Sequence, residues 1–270
     1  MGILGRNKII VIAGALLGLL IAAVIVLPFL MPYGASDQSL NEAYQQPSAK
    51  HWFGTDKFGR DVFVRFLYGG RISVAVGAFS VLLALVIGLP FGLFSGYVGG
   101  RVDAVASWLI NLFMAFPQFF LLITIAAMVE FSSFWWVVVA IGLLSWMDIA
   151  RIVRNQTLSL KEREFILAER VLGVPQRRIL LRHILPNVVV PVIVSATLMV
   201  GNVILIESAL SFIGFGVQPP TPSWGNIINE GREVLLDGWW LSVFPGLGIV
   251  ITVVCLSILG EKLQKIVAME

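Results

Sequence analysis

Charged residues and cysteines are scarce in this sequence. Only 13% of its 270 residues are charged, whereas a soluble domain carries about 25%. Hydrophobic residues make up 58% and the mean hydropathy is +0.91, so a soluble fold of this length has too little polar surface to cover its apolar side chains. The single cysteine, Cys255, excludes an internal disulfide, and with only two histidines a structural zinc site is disfavoured.

The sequence also lacks the motifs of common catalytic machinery. It contains no G-x-x-x-x-G-K-[ST] segment, the loop that cradles nucleotide phosphates. No nucleophile–base pair and no metal-ligand cluster stands out. His51 and Asp56 are too few ligands for a cation, and Gly54 and Gly59 beside them are typical of turns. We therefore interpret Asp56 and Asp61 as helix caps, and expect no catalytic residue, bound metal or cofactor in this chain.

Long uncharged runs are abundant instead. About 20 apolar residues cross a bilayer as a helix, so the sequence predicts an all-α integral membrane protein with six transmembrane helices. Their expected bounds are about 9–31, 72–98, 104–129, 133–150, 186–211 and 239–260. The first run is longer than the apolar part of a signal peptide, which favours an uncleaved helix. The uncharged stretch 208–229 holds three prolines, which favours a loop or re-entrant segment over a seventh span.

Lysine and arginine positions predict the orientation. If both termini are cytoplasmic, the basic group between Arg151 and Arg182 is cytoplasmic too, as the positive-inside rule requires. Residues 1–70 then form an N-terminal helix with an extracytoplasmic loop. Residues 71–270 form the core domain with the remaining five spans and a cytoplasmic loop at 151–185.

Glycine recurs every four residues at Gly88, Gly92, Gly96 and Gly100. Such a ridge lets another helix backbone approach closely. Packing within the chain is the favoured interpretation, and a subunit interface is the alternative.

A charged block, "SLKEREFILAERVLGVPQRRILLRHILPN" (159–187), interrupts the apolar sequence. Ser159 and Glu162 have the spacing of a capping box, which predicts a helix of about three turns. Gly173 is suited to a left-handed helix end, with Pro175 just beyond. Two interpretations are open. The helix lies on anionic lipid, held by its arginines, or the face formed by Phe165, Ala168 and Leu172 docks a soluble partner.

The block resembles the "EAA" loop of binding-protein-dependent, MetI-like ABC importer permeases. The family pattern is E-A-A, three residues, G, nine residues, I-x-L-P. Here Ala168, Gly173 and Leu185–Pro186 match at that spacing, while Leu167, Glu169 and His183 depart from it. Further segments resemble the "C"-type subgroup that imports dipeptides, oligopeptides or nickel, namely "HWFGTDKFGRDVFVRFLYGGRIS" (51–73), "FPQFFLLI" (116–123) and "ESALSFIGFGVQPPTPSWGNII" (207–228).

The resemblance implies a type I ABC importer transmembrane domain in a bacterial or archaeal plasma (inner) membrane. Its expected partners are a homologous second permease, two cytoplasmic ATPase subunits that bind ATP and magnesium, an extracytoplasmic substrate-binding protein and membrane lipid, with no nucleic acid. It makes 151–185 a loop that couples to the ATPase. The implied coupling residues are Glu164, Phe165, Ala168, Glu169, Leu172, Gly173, Arg178, Leu185 and Pro186.

Polar residues in the spans are candidates for the translocation path. A charged Glu207 side chain is energetically costly at membrane depth, so we expect it to face protein or water. Asn202 and Ser195 are further candidates, although such side chains commonly bond between helices. An ion-coupled secondary transporter and a non-transporting scaffold are the rival classes. The first would need midplane carboxylates, for which only Glu207 is a candidate.

Overall fold

Helices form most of the backbone in the computed structural model, which describes residues 3–129 and 133–267. The predicted all-α architecture is confirmed for this part of the chain. In chain order the helices are α1 (Ile3–Val26), α2 (Val62–Val98), α3 (Gly100–Met114), α4 (Gln118–Val129), α5 (Phe134–Lys161), α6 (Glu164–Val171), α7 (Gln176–Ile179), α8 (Leu185–Phe212), α9 (Trp224–Gly231) and α10 (Trp240–Val267). A single turn of π-helix, Leu180–Ile184, joins α7 to α8.

Five helical segments of the described chain are long and apolar enough to cross a membrane. They are Lys8–Phe29, Val62–Val98, Phe134–Lys161, Gln176–Phe212 and Trp240–Ile266. A sixth span exists only if α3 and α4 together make one crossing, because they meet at 74°. The prediction of one continuous helix over 104–129 is therefore wrong. Pro117 explains the break, since it lacks an amide N–H and disfavours helical geometry at Phe116.

Two compact units are formed by the chain. The first comprises Met1–Ala78, Ile123–Val138 and Val200–Leu259. Its core gathers apolar side chains from α1, α2, α8, α9 and α10, namely Val24, Leu67, Ile204, Trp224 and Ile249. The indole N–H of the fully buried Trp224 donates to the carbonyl of Phe66 at 3.0 Å. This contact seats α9 against α2. As predicted for the proline-rich stretch, α9 has only eight residues and is no additional span.

The second unit comprises Phe79–Leu122, Val139–Met199 and Gly260–Glu270. Its packing is set by the glycine ridge on α2. A Cβ atom at Gly88, Gly92 or Gly96 would lie 2.6, 2.4 or 2.8 Å from backbone carbonyl oxygens of α5. Such distances are below van der Waals contact, so only glycine permits this approach. Packing within the chain is thus confirmed for these three positions, whereas Gly100 has open space around its Cα and starts α3 with φ +56°.

Candidate functional site

The charged block folds as two short helices between α5 and α8. The predicted capping box is wrong: Ser159 lies inside α5, which continues to Lys161, and α6 begins at Glu164 with no side-chain cap from Arg163. Continuing the i→i−4 hydrogen bonds of α5 satisfies the backbone that a cap at Ser159 would otherwise serve. The amide of Arg163 then donates to the carbonyl of Leu160, which closes the turn. The helix is consequently eight residues long rather than three turns from Ser159.

The end of α6 follows the sequence prediction. Gly173 has φ +76°, the left-handed conformation of a helix end, and its amide donates to the carbonyl of Arg170 at 3.0 Å. The amide of Val174 donates to the carbonyl of Glu169. Pro175 then precedes α7, a second short helix. The chain direction therefore changes over Leu172–Pro175.

Three isoleucines anchor the two short helices. Ile166 on α6, Ile179 on α7 and Ile184 in the π-helical turn are fully buried, in one cluster with Val153 of α5 and Leu93 of α2. No local sequence pattern predicts them. Ile179 and Ile184 are five residues apart, about 140° around an α-helix, so a search for helical periodicity does not place them on one face. The π-helical turn between them changes that spacing.

Polar contacts add to this anchoring. The Lys161 Nζ donates to the carbonyl of Gly96 at 3.0 Å. The Arg170 guanidinium lies 5.5 Å from the centre of the Tyr97 ring, within cation–π range. Both contacts reach the end of α2. Glu169, one of the predicted coupling residues, is half-buried, and its Oε1 lies 3.5 Å from Nε2 of His183. The charged block is thus held to the membrane-spanning helices by packing and by charge.

The opposite side of α6 is apolar and exposed. Phe165 is 47% exposed, Leu172 80% and Val171 88%, and Ala168 is exposed between them. We call these four residues the apolar face of α6. The described residues of this chain leave most of this face uncovered. Exposed apolar groups this close together commonly mark an interaction site. The structure therefore brings Phe165, Ala168 and Leu172 together as the sequence analysis expected.

The other predicted coupling residues surround this face or follow it in the chain. Glu164 is exposed in the first turn of α6, and Arg178 is exposed on α7. Leu185 is the first residue of α8 and is half-buried beside the isoleucine cluster, with Pro186 next to it. Pro186 has no amide N–H to donate into the preceding turn of the helical segment Gln176–Phe212. These residues thus connect the exposed element to the span that follows.

The three predicted path residues have different environments along α8. Glu207 is fully buried, Asn202 is exposed, and Ser195 is half-buried with its hydroxyl donating to the carbonyl of Pro191 at 3.1 Å. The Glu207 carboxylate accepts from the hydroxyls of Ser73 at 2.8 Å and Ser211 at 2.7 Å. These three residues thus do not share one surface of α8.

The Glu207 carboxylate belongs to a polar cluster that holds α9. Ser73 Oγ, which donates to Glu207, also accepts the backbone N–H of Trp224 at 3.2 Å. A capping box begins α9, in which Ser223 accepts from the Asn226 amide and the Asn226 side chain accepts from the amide of Ser223. The cluster connects α2, α8 and the start of α9. Its signal in sequence is weak because the partners lie 134 and 151 residues apart.

A buried ionic network organises the predicted extracytoplasmic loop. Asp56 is fully buried and accepts from Nε of Arg60 at 2.6 Å and from a guanidinium nitrogen of Arg65. Both arginines also donate to Glu230 of α9, at 3.0 Å and at 2.5–2.9 Å. Two positive and two negative groups thus balance in the interior. Sequence reasoning missed this network because Glu230 is distant in sequence.

The caps predicted around this network are half right. Asp61 accepts the amide of Val64 at 2.9 Å and so caps α2, as expected. Asp56 instead accepts the amides of Phe58 and Arg60, which closes a turn rather than starting a helix. Gly54 and Gly59 have φ of +74° and +70°, in agreement with their predicted turn role. The other Asp61 oxygen lies 2.7 Å from Nδ1 of the buried His51.

The pair Glu42 and Lys50 lies at the surface of the same loop. A hydrogen bond from Lys50 holds the pKa of the Glu42 carboxyl below its usual value, and the same bond raises the pKa of Lys50. Both groups are thus charged at neutral pH. The pair is exposed, so salt screens it.

Comparison with known proteins places these features in a family. Residues 88–269 match the family described as "Binding-protein-dependent transport system inner membrane component". Residues 3–47 match the family described as "N-terminal TM domain of oligopeptide transport permease C". The first match covers more than half of the chain and contains α5–α8.

Whole-length relatives agree with this family, and a solved structure has a similar fold. The chain is 41% identical over 261 residues to a putative peptide permease protein of Brucella suis, covering 96% of this chain and 86% of that protein. It is 40% identical over 263 residues to the dipeptide transport system permease protein DppC of Bacillus subtilis, covering 97% and 82%. A chain of the inward-facing MetNI methionine ABC transporter superposes with a TM-score of 0.63 at 21% identity, covering 76% of this chain and 97% of that one.

Proposed function

Because the chain belongs to the family of binding-protein-dependent transport system inner membrane components, we propose that it is a permease subunit of an ATP-driven importer of dipeptides or oligopeptides. Peptide transport is in the names of the relatives at about 40% identity. The same machinery importing nickel or another small solute is the alternative cargo. An ion-coupled secondary transporter is the alternative class, and the family membership argues against it.

In our proposal, the mechanical force that drives transport acts on this chain at the apolar face of α6. The proposal rests on one observation: α6 has an exposed apolar face on one side and a buried anchor on the other. Phe165, Val171 and Leu172 are exposed, while Ile166 on the same short helix is fully buried among α2 and α5 side chains. A partner that binds the face and moves displaces the packed spans with it, because well-packed interiors transmit displacement rather than absorb it.

The partner that fits this face is a cytoplasmic ATPase subunit. The chain has no phosphate-cradling loop of its own, so ATP and magnesium bind to two such subunits rather than to this one. A helix with apolar anchors at i, i+3 and i+7 is suited to a groove on another protein. Phe165, Ala168 and Leu172 have that spacing.

The assembly that follows contains four kinds of subunit. This chain pairs with a homologous second permease to enclose the path, with Glu207, Asn202 and Ser195 as candidate lining residues. An extracytoplasmic binding protein delivers the peptide. The complex lies in the plasma (inner) membrane, with both termini and the 151–185 loop in the cytoplasm. The chain itself is non-catalytic.

One pair of variants tests the docking role. Ala168→Arg places a charge in the centre of the apolar face, and we expect the co-purifying ATPase to fall more than about tenfold, as for other interface anchors. Gly173→Glu should do the same through the helix end. Leu236→Arg, at a 94% exposed position of the other unit, is the matched control. Normal ATPase retention and peptide uptake in Ala168→Arg would refute the proposal.

A second experiment separates the transporter classes. Vesicles containing the assembled complex are loaded with ATP and prepared without any ion gradient. Uptake of a labelled dipeptide is then measured with the binding protein outside. We expect uptake that requires ATP and is unchanged by ionophores. Uptake driven by an imposed ion gradient without ATP would support the secondary transporter.

A further inference from the structure

An open apolar groove lies between the end of α2 and the start of α3. Its volume is about 430 Å³, and it is lined chiefly by Phe91, Phe94, Val102, Val105 and Leu109. Phe94 and Val105 are 60% and 64% exposed, so the groove opens at the surface of the chain. The one serine in its wall, Ser95, donates its hydroxyl to the carbonyl of Gly92 at 3.2 Å. The groove therefore offers a ligand almost only hydrocarbon contact.

The exception is Arg101, the one charged residue that lines the groove. Its side chain is exposed and, within residues 3–129 and 133–267, has no hydrogen bond or ion pair. Asp103 is the acidic residue nearest to Arg101 in sequence. Its carboxylate already accepts from Nε and Nη2 of Arg154, at 2.5 and 2.7 Å. Lys161 is likewise occupied, by the carbonyl of Gly96. Arg101 thus has a guanidinium free to bind an anion from outside the chain.

The position of Arg101 just beyond the end of α2 indicates the depth of the groove. The helix α2, a candidate membrane span of 37 residues, ends at Val98, three residues before Arg101. An arginine just beyond a span places its guanidinium among the lipid headgroups. Phe91 precedes Val98 by seven residues, which is about 10 Å along a helix. With the headgroups level with Arg101, the apolar floor of the groove lies within the hydrocarbon layer.

We propose that this groove binds an anionic phospholipid, with one acyl chain along Phe94 and Val105 and the headgroup phosphate on Arg101. A ligand for this site must be apolar for most of its length and negative at one end. A phospholipid of the surrounding bilayer has that form. Arginine suits the headgroup because its planar fork binds phosphate through two parallel hydrogen bonds. A helix of another subunit would fill the groove but leave Arg101 without a counter-charge unless it supplied an acid.

The test is lipid binding to the full chain, purified in mild detergent and followed by native mass spectrometry. Dioleoyl phosphatidylglycerol is titrated against dioleoyl phosphatidylcholine, which has the same acyl chains and no net charge. We expect phosphatidylglycerol to bind about fivefold more tightly, the effect of one basic residue near anionic lipid. Arg101→Gln should abolish the preference. Arg232→Gln, which removes an exposed arginine from the other unit, should retain it.

A second variant tests the acyl-chain half of the site. Val105→Trp covers the groove with an indole and should weaken binding of both lipids severalfold. Val86→Trp, at a 63% exposed position of α2 outside the groove, is its control. The proposal is overturned if Arg101→Gln keeps the lipid preference or if Val105→Trp binds both lipids normally.

A photo-crosslinker at position 105 distinguishes the occupants in the assembled complex. A mass increase of one phospholipid supports the proposal. Capture of another protein chain identifies the groove as a subunit interface and rejects the lipid site.

Discussion

At the scale of single residues, the absence of side chains matters as much as their presence. Three glycines of α2 let its backbone approach the carbonyls of Trp146, Ala150 and Arg154 on α5. The two helices thereby pack closely without large interlocking apolar side chains. Such packing is suited to a membrane, where lipid acyl chains compete for the same apolar contacts.

The glycine at position 92 gives the sharpest test of this packing. Gly92→Ala places a Cβ 2.4 Å from the carbonyl oxygen of Ala150, so α2 or α5 must shift. We expect a loss of about 1–3 kcal/mol, as for other overpacked cores. Thermal unfolding in detergent measures it. Gly18→Ala, where nothing lies within 4 Å, serves as the control, and equal melting temperatures for both variants would contradict the prediction.

Glu207 is the second test at this scale. Glu207→Ala leaves the hydroxyls of Ser73 and Ser211 without their acceptor, a cost of about 1–3 kcal/mol. Glu207→Gln keeps an acceptor oxygen and should retain most stability. Proteolysis rates in the 213–223 loop report the loosening of α9.

Glu207→Gln also separates two roles for Glu207. If the carboxylate only holds the fold, Glu207→Gln should transport with an unchanged KM. A stable Glu207→Gln protein with a strongly raised KM for peptide would instead assign the carboxylate to the path.

At the scale of elements, the loop before α2 depends on one distant acid. Glu230 on α9 is a shared partner of Arg60 and Arg65, together with Asp56 of the loop itself. Removing one member of a buried ionic network leaves the others uncompensated, which is more damaging than the loss of a surface pair.

Glu230→Ala should therefore cost about 3 kcal/mol and loosen the loop. Hydrogen exchange over 51–61 should rise, since those amides lie beside the released arginines. Glu233→Ala, an exposed acid three residues later, should leave exchange unchanged. Unaltered protection in Glu230→Ala would show that backbone contacts alone hold the loop.

Sequence predicts elements well where local patterns determine them. The long apolar runs located five of the six predicted spans but not the break at Pro117, and Gly173 located the end of α6. The misses have a common cause. The isoleucine anchors, the Glu230 network and the Ser73–Trp224 contact depend on residues brought together only by folding. The failed cap at Ser159 shows the converse: a valid local motif was overridden because the preceding helix continued through it.

At the scale of the whole molecule, the bent pair α3–α4 determines the topology. If the pair crosses the membrane once, the chain has six spans and both termini share one side. If it does not, five spans put the termini on opposite sides. The basic residues between Arg151 and Arg182 favour the cytoplasm for the loop that holds them.

Reporter fusions test whether the chain crosses the membrane five or six times. A reporter that is active only in the cytoplasm, fused separately to each terminus, should be active in both fusions. The complementary reporter, active only outside, should be active when inserted in the loop near Ser48. Activity of the cytoplasmic reporter at one terminus alone would mean that α3–α4 does not span.

In the π-helical turn before α8, the number of residues affects the packing more than their identity does. That turn holds one residue more than an α-helical turn, and its i+5 bond runs from the Leu185 amide to the Leu180 carbonyl. Deleting one residue from 180–184 would let an unbroken α-helix form with the rotational phase of the preceding residues nearly kept, whereas adding one residue would rotate them by about 100°. An insertion would therefore turn Ile166 and Ile179 away from their cavity, so single insertions in this turn should be tolerated far worse than point substitutions or single deletions.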